Sequence, residues 1–169
     1  MAGNKYIYNN AGALTELASI QSSAGAGDAG KIVALDSAGK LDSSMMPTGI
    51  AADTASIVSS ENLAAGDFVN VWNDAGTPKV RKADATTAGK EAHGFVISAV
   101  TSPAAATVYF EGSNTQVTGH TAGKVFLGTT AGAATATAPS GSGNIVQIIG
   151  IASAATNINF EYSQPIVLA

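Results

Sequence analysis

Residues 157–162 read NINFEY, a strict alternation of polar and apolar side chains with the period of a strand that buries one face. Ile158, Phe160 and Tyr162 would point into a core, and Asn157, Asn159 and Glu161 away from it. Toward the N-terminus, short runs of the same kind recur at steady spacing, over residues 68–72, 79–82, 94–100, 107–111, 115–118, 124–127, 134–138 and 145–152. Turn sequences such as Asn73-Asp74-Ala75-Gly76 and Gly141-Ser142-Gly143-Asn144 separate them. Many short strands joined by such turns predict an all-β fold, a small β-sandwich or barrel-like domain over residues 56–169, with little room for helix. Trp72, the single tryptophan, is expected in its core, and Tyr109 on its outside if Val108 and Phe110 face inward.

Before residue 56 the pattern breaks into small islands spaced by Gly, Ser and Ala. Tyr6, Ile7 and Tyr8 suit a short strand, while Leu14, Leu17 and Ile20 are spaced for one or two turns of a helix that would be marginal alone. Residues 22–30, SSAGAGDAG, have the chemistry of a flexible linker. In residues 30–50, GKIVALDSAGKLDSSMMPTGI, a strand through Ile32, Val33 and Leu35 leads to a tight turn at Asp36-Ser37-Ala38-Gly39. A short return then starts at Leu41 and Pro47 ends it. Ala-Gly-Lys, ending at Lys31, Lys40, Lys90 and Lys124, follows Asp, Ser or Thr each time and reads as a turn; the unequal spacing argues against a solenoid.

These apolar bursts are too brief to make a core. Residues 1–55 are therefore expected to form an extended N-terminal arm, with short strand and turn elements, that docks on another surface. Its anchors would be Tyr6, Ile7, Tyr8, Leu14, Leu17, Ile32, Val33, Leu35, Leu41, Met45 and Met46. Because all are uncharged, the contact should respond only weakly to salt.

The 169 residues suffice for one ordinary domain with an appendage. A formal charge of −4, with eight scattered basic residues, opposes nucleic-acid binding, which needs clustered Lys and Arg to displace counterions from phosphates. Residues 125–160 contain no Asp, Glu, Lys, Arg or His, so a surface built from them is neutral; either other chains cover it or the segment has drifted toward Ala, Thr and Gly. With no cysteine there is no disulfide, thiolate metal site or thiol nucleophile. No apolar run is long enough to span a membrane, and the opening residues lack the pattern of a secretory signal, so the expected place of synthesis is the cytoplasm.

Residues 25–30 spell G-x-G-x-x-G and, with Lys31, nearly a phosphate-binding loop. The required strand before and helix after are not expected there, and Ile32 stands where a magnesium-binding hydroxyl belongs, which favours a linker. His93 and His120 are the only histidines, and nothing in their spacing from Glu91 or Glu111 asks for a zinc site or a nucleophilic triad. Asp28, Asp36 and Asp42, with Glu16 and Asp53, lack the spacing of a calcium loop. No catalytic residue, metal or cofactor is assigned, and the expectation is a protein that is not an enzyme.

Two segments carry a resemblance. KIVALDSAGKLD followed by Ser43-Ser44-Met45-Met46-Pro47 resembles a segment common in tailed-bacteriophage virion proteins. Residues 145–169, IVQIIGIASAATNINFEYSQPIVLA, are similar to the closing strands of small β domains in phage head-decoration (cement) proteins and in some fibre and minor structural proteins. Together these segments cover under a third of the chain. The resemblance implies a homotrimer of β domains on the outer surface of an icosahedral capsid, assembled in the host cytoplasm. Its arms would lie between neighbouring major-capsid subunits and clamp the shell against internal DNA pressure. It implies no active-site residues, no nucleic-acid partner and no membrane. The alternative is a phage fibre or receptor-binding module recognising a host surface glycan, with Tyr109 and the loops at residues 100–106 and 114–123 as its candidate contacts.

Overall fold

In a computed structural model that describes residues 5–46 and 52–169, the chain divides between Ala51 and Ala52 into two units. Among the described residues the regular structure is strands apart from two short 3-10 turns, so the fold is all-β.

The first unit opens with β1 (Lys5–Asn10) and β2 (Ala13–Ala18), an antiparallel hairpin pairing Tyr6 with Leu17, Ile7 with Glu16 and Tyr8 with Thr15. The helix expected through Leu14 and Leu17 is therefore corrected to a strand. Its cause is the two-residue turn: Ala11 and Gly12 both have positive φ, 50° and 95°, and Asn9 Oδ1 accepts a hydrogen bond from the Gly12 N–H at 2.8 Å. A turn with two positive φ angles twists as strands twist and sends the chain straight back. Leu14 and Leu17, which would share a helical face, lie on opposite faces of the ribbon.

Beyond the hairpin, the strand expected at Ile32, Val33 and Leu35 shrinks to one parallel bridge between Ile20 and Val33. The turn at residues 36–39 forms as read: Gly39 N–H donates to the Asp36 carbonyl at 3.0 Å, and Asp36 Oδ1 accepts from Ala38 and Lys40 N–H at 2.8 Å. Leu41 starts no return strand; Asp42 instead caps a single 3-10 turn, Ser43–Met45. The linker expectation for residues 22–30 is also corrected, because the segment holds a 3-10 turn, Ala26–Asp28, and Ser23 N–H is bonded to Ser44 Oγ at 2.7 Å. Pro47 lies outside the described residues.

The second unit starts with β3 (Thr54–Ser59), β4 (Phe68–Asp74), β5 (Thr77–Lys82), β6 (Gly94–Phe95) and β7 (Ala105–Tyr109), which close into a barrel in the order β3-β5-β4-β6-β7. Then follow β8 (Gly112–Asn114), β9 (Gly123–Leu127), β10 (Ala134–Thr135), β11 (Ile145–Val146), β12 (Ile148–Ala154), β13 (Asn157–Phe160) and β14 (Ile166–Val167). Five of these form a sheet in the order β10-β9-β12-β13-β8, and β11 pairs with β14.

Alternation on the barrel strands feeds two cores. Val69, Val80, Val96, Ala106 and Val108 fill one with Leu63, while Phe68, Phe95 and the half-buried Tyr109 turn to the other. There they meet Val125, Leu127, Ile149, Ile158 and Phe160 from the five-stranded sheet. Phe68, Phe95 and Phe160 lie within 5.9–6.5 Å of one another, centroid to centroid, the spacing of tilted aromatic contacts. Sheet and barrel thus share one apolar layer.

The hairpin turn Asn73-Asp74-Ala75-Gly76 repeats the N-terminal one, with Ala75 at φ 49°, Gly76 at φ 93° and Asn73 Oδ1 accepting from Gly76 N–H at 2.8 Å. Several strand expectations need correction. Residues 94–100 pair only at Gly94–Phe95, with Val100 in a lone bridge to Leu63; residues 115–118 form no strand; residues 145–152 split at Gln147. Strand β3 falls across the expected boundary at residue 56 and, like β14, was not anticipated. Tyr162 is 46% exposed, not inward, because pairing along β13 stops at Phe160. Trp72 is half-buried: Arg81 lies 4.8 Å over its ring, and Nε1 reaches Ser60 Oγ at 3.4 Å.

Candidate interaction surface

None of the described residues 5–46 is buried. Ile7 is 73% exposed, Leu14 76% and Leu35 56%; Tyr8, Leu17, Ile32, Val33, Leu41 and Met46 are also exposed, and Tyr6 and Met45 half-buried. All eleven side chains expected to anchor the arm therefore lie in a unit with no core of its own. The hairpin presents two usable faces. One carries Tyr6, Leu17 and Tyr8, and the other Ile7 and Leu14 beside the ion pair of Lys5 with Glu16.

What holds this unit in shape is polar. Asp28 accepts from Lys31 Nζ and from Ala24 N–H, both at 2.6 Å, and these bonds, the lysine's first, hold its carboxyl below the usual aspartate range. Asp42 accepts from the Ser44 hydroxyl at 2.6 Å and its N–H at 2.9 Å, which lower its pKa in the same order. A two-stranded ribbon with loops tied this way is shaped by polar bonds and leaves its large apolar side chains exposed.

The same bonds explain the phosphate-loop spelling. Lys31 and one loop amide are already engaged by Asp28, and the glycines lie in and around a 3-10 turn with no α-helix after it among the described residues. Asp36 is likewise turned onto its own loop, and no group of three His, Asp or Glu side chains converges among the described residues. His93 Nδ1 accepts from the Val71 N–H at 3.0 Å, and its Nε2 lies 3.5 Å from Glu91 Oε1, which places it as a seam between β4 and the segment before β6. His120 sits in a loop whose N–H donates to the Ala155 carbonyl at 3.2 Å.

Tyr109 does not point freely outward. Its ring is half-buried and stacked on Phe95 at 5.4 Å, and it lines a cleft with Ile97, Ser98, Val100, Ala105 and Thr107. A second exposed apolar surface, unforeseen in the sequence, comprises Ile148 and Ile151 on the five-stranded sheet and Tyr162 just beyond β13. Its signal was present in residues 145–152, IVQIIGIA, where isoleucines at 148, 149 and 151 make both faces of a strand apolar.

No helix among the described residues is long and apolar enough to cross a membrane. No protein-family model, curated protein or solved structure matches the chain.

Proposed function

We propose that the chain is a structural virion protein that binds the outside of a phage capsid and stabilises contacts between major-capsid subunits. The observation that carries this reading is the contrast between the two units: residues 52–169 hold two apolar cores, whereas residues 5–46 hold none and expose their large apolar side chains. A unit so built gains its hydrophobic stabilisation by lying against something else. The resemblance of residues 31–47 to a segment common in tailed-bacteriophage virion proteins, and of residues 145–169 to the closing strands of small β domains in head-decoration and some fibre and minor structural proteins, supplies the class of partner.

Mechanistically, clamping is a matter of linked contacts. Copies joined as a trimer hold three arms, and each bound arm raises the effective concentration of the others, so modest single contacts give long residence. The reading contains no catalytic step. The test is co-sedimentation with capsids of the source phage: the intact chain should pellet with them, and a chain lacking residues 1–51 should stay folded and remain in the supernatant. Full retention of the truncated chain on capsids would refute the arm assignment.

A fibre module that recognises a host glycan is the second reading, favoured by Tyr109 lining a cleft beside the hydroxyls of Ser98 and Thr107. Copy number separates the two. Hundreds of copies per particle support the cement reading, and a handful support the fibre.

A further inference from the structure

The outer face of an antiparallel sheet is ordinarily polar when water covers it. In the five-stranded sheet the inner face is spent on the shared core through Val125, Leu127, Ile149, Ile158 and Phe160. The outer face still carries Ile151 at 59% exposure, Tyr162 at 46% and Ile148 at 38%. These three line one groove with Gly123, Gly150, Lys124 and Glu161. A side chain at Gly123 would meet nothing within 4 Å, so that end of the groove is open, while Gly150 lets β12 lie close against the Asn159 backbone.

Charge on this groove is arranged in a particular way. Lys124 pairs in register with Ile151 from β9, on one side of β12, and Glu161 follows β13, on the other side. Both are exposed, and neither makes an ion pair among the described residues. They are also the charges that bound the uncharged run of residues 125–160, and the fold returns both to one groove. The surface is thus apolar along its centre, positive on one flank and negative on the other.

We infer that this face is where two copies of the chain meet. A two-fold axis in the plane of the face, running between the flanks, sets Lys124 of each copy against the second copy's Glu161 and packs the two isoleucine strips together. A single patch that complements itself in both charge and apolarity is what an isologous contact requires. Water leaves Ile148, Ile151 and Tyr162 on both copies at once, which supplies the attraction, while the crossed ion pairs set the register. The inference is independent of what the first unit binds.

The test is light-scattering mass measurement on the intact chain across a concentration series. The wild type should reach twice the chain's mass, or a larger even multiple if a three-fold contact also forms. Ile151→Asp should halve that mass while circular dichroism remains unchanged. Lys124→Glu and Glu161→Lys should each weaken pairing by about tenfold or more, since either one opposes like charges at two symmetry-related points. The double variant K124E/E161K should restore it. A wild type that stays at an odd multiple at every concentration, single variants with unaltered mass, or a double variant no better than the singles would each overturn the inference.

Discussion

The side-chain amide of Gln147 and the backbone of Ala92 exchange two hydrogen bonds, each 2.8 Å long, as two paired strand residues would. The same amide nitrogen also donates to the Ser163 carbonyl at 3.1 Å, and the side chain is fully buried. One glutamine therefore ties the segment before β6, on the barrel side, to the C-terminal segment behind the five-stranded sheet. Replacing it with an apolar residue strands the buried N–H and carbonyl of Ala92 and the half-buried carbonyl of Ser163. Gln147→Leu should lower the unfolding free energy by about 2–5 kcal/mol, from roughly 1–3 kcal/mol for each unsatisfied group with partial relaxation. Urea denaturation measures it, and a loss below about 0.5 kcal/mol, the range of ordinary surface changes, would contradict this role.

Ala75 holds a left-handed conformation that its Cβ disfavours, at φ 49°, in the tight turn between β4 and β5. Ala75→Gly should relieve that strain and stabilise the second unit by about 1 kcal/mol, less the added entropy of the unfolded chain. Scanning calorimetry should show a rise in Tm of about 2–4 °C. A fall of similar size would mean that the turn is not strained as described.

Acid should loosen the two tied loops of the first unit. Asp28 and Asp42 have carboxyls held below the ordinary aspartate range by hydrogen bonds. A depressed carboxyl contributes order above its unfolded pKa, and that contribution is lost as pH falls through the lower, folded value. At neutral pH both loops should be fully tied, and they should release only on acidification below the usual aspartate range. Carbon-13 NMR of the two carboxyls checks this: midpoints below the free-aspartate value are expected, and midpoints at or above it would show that these bonds do not persist in solution.

Changing Ile7, Leu14, Ile32 and Leu35 together to serine removes apolar groups that touch no core. The melting of the second unit should stay within about 0.5 kcal/mol of wild type, while attachment to capsids falls sharply. Destabilisation of the second unit by several kcal/mol would mean that these side chains serve the chain's own fold.

Period-two alternation was legible where a strand buries one face against a large core, as at Ile158 and Phe160. It failed where strands are short or built of small residues. Strand β3, TASIVS, turns Ala55, Ile57 and Ser59 to the barrel side, and two of those three are too small to register as hydrophobic. At Leu14 and Leu17 a helical spacing was overruled by the turn before them, although residues 9–12, NNAG, closely repeat residues 73–76, NDAG, which were read as a turn. The exposure of the apolar side chains in the first unit was legible because bursts of Ile, Val, Leu and Met between glycines cannot bury one another. The outer sheet face was not, since IVQIIGIA reads as core until the bulge and the exposed isoleucines place it.

Electron-microscope reconstruction of the particle that carries this chain tests the central claim most directly. Ile7, Leu14, Ile32 and Leu35 should be covered by a neighbouring capsid subunit, with the barrel standing above the shell. Density in which those four side chains are covered only by their own subunit, and no foreign chain touches residues 5–46, would contradict it.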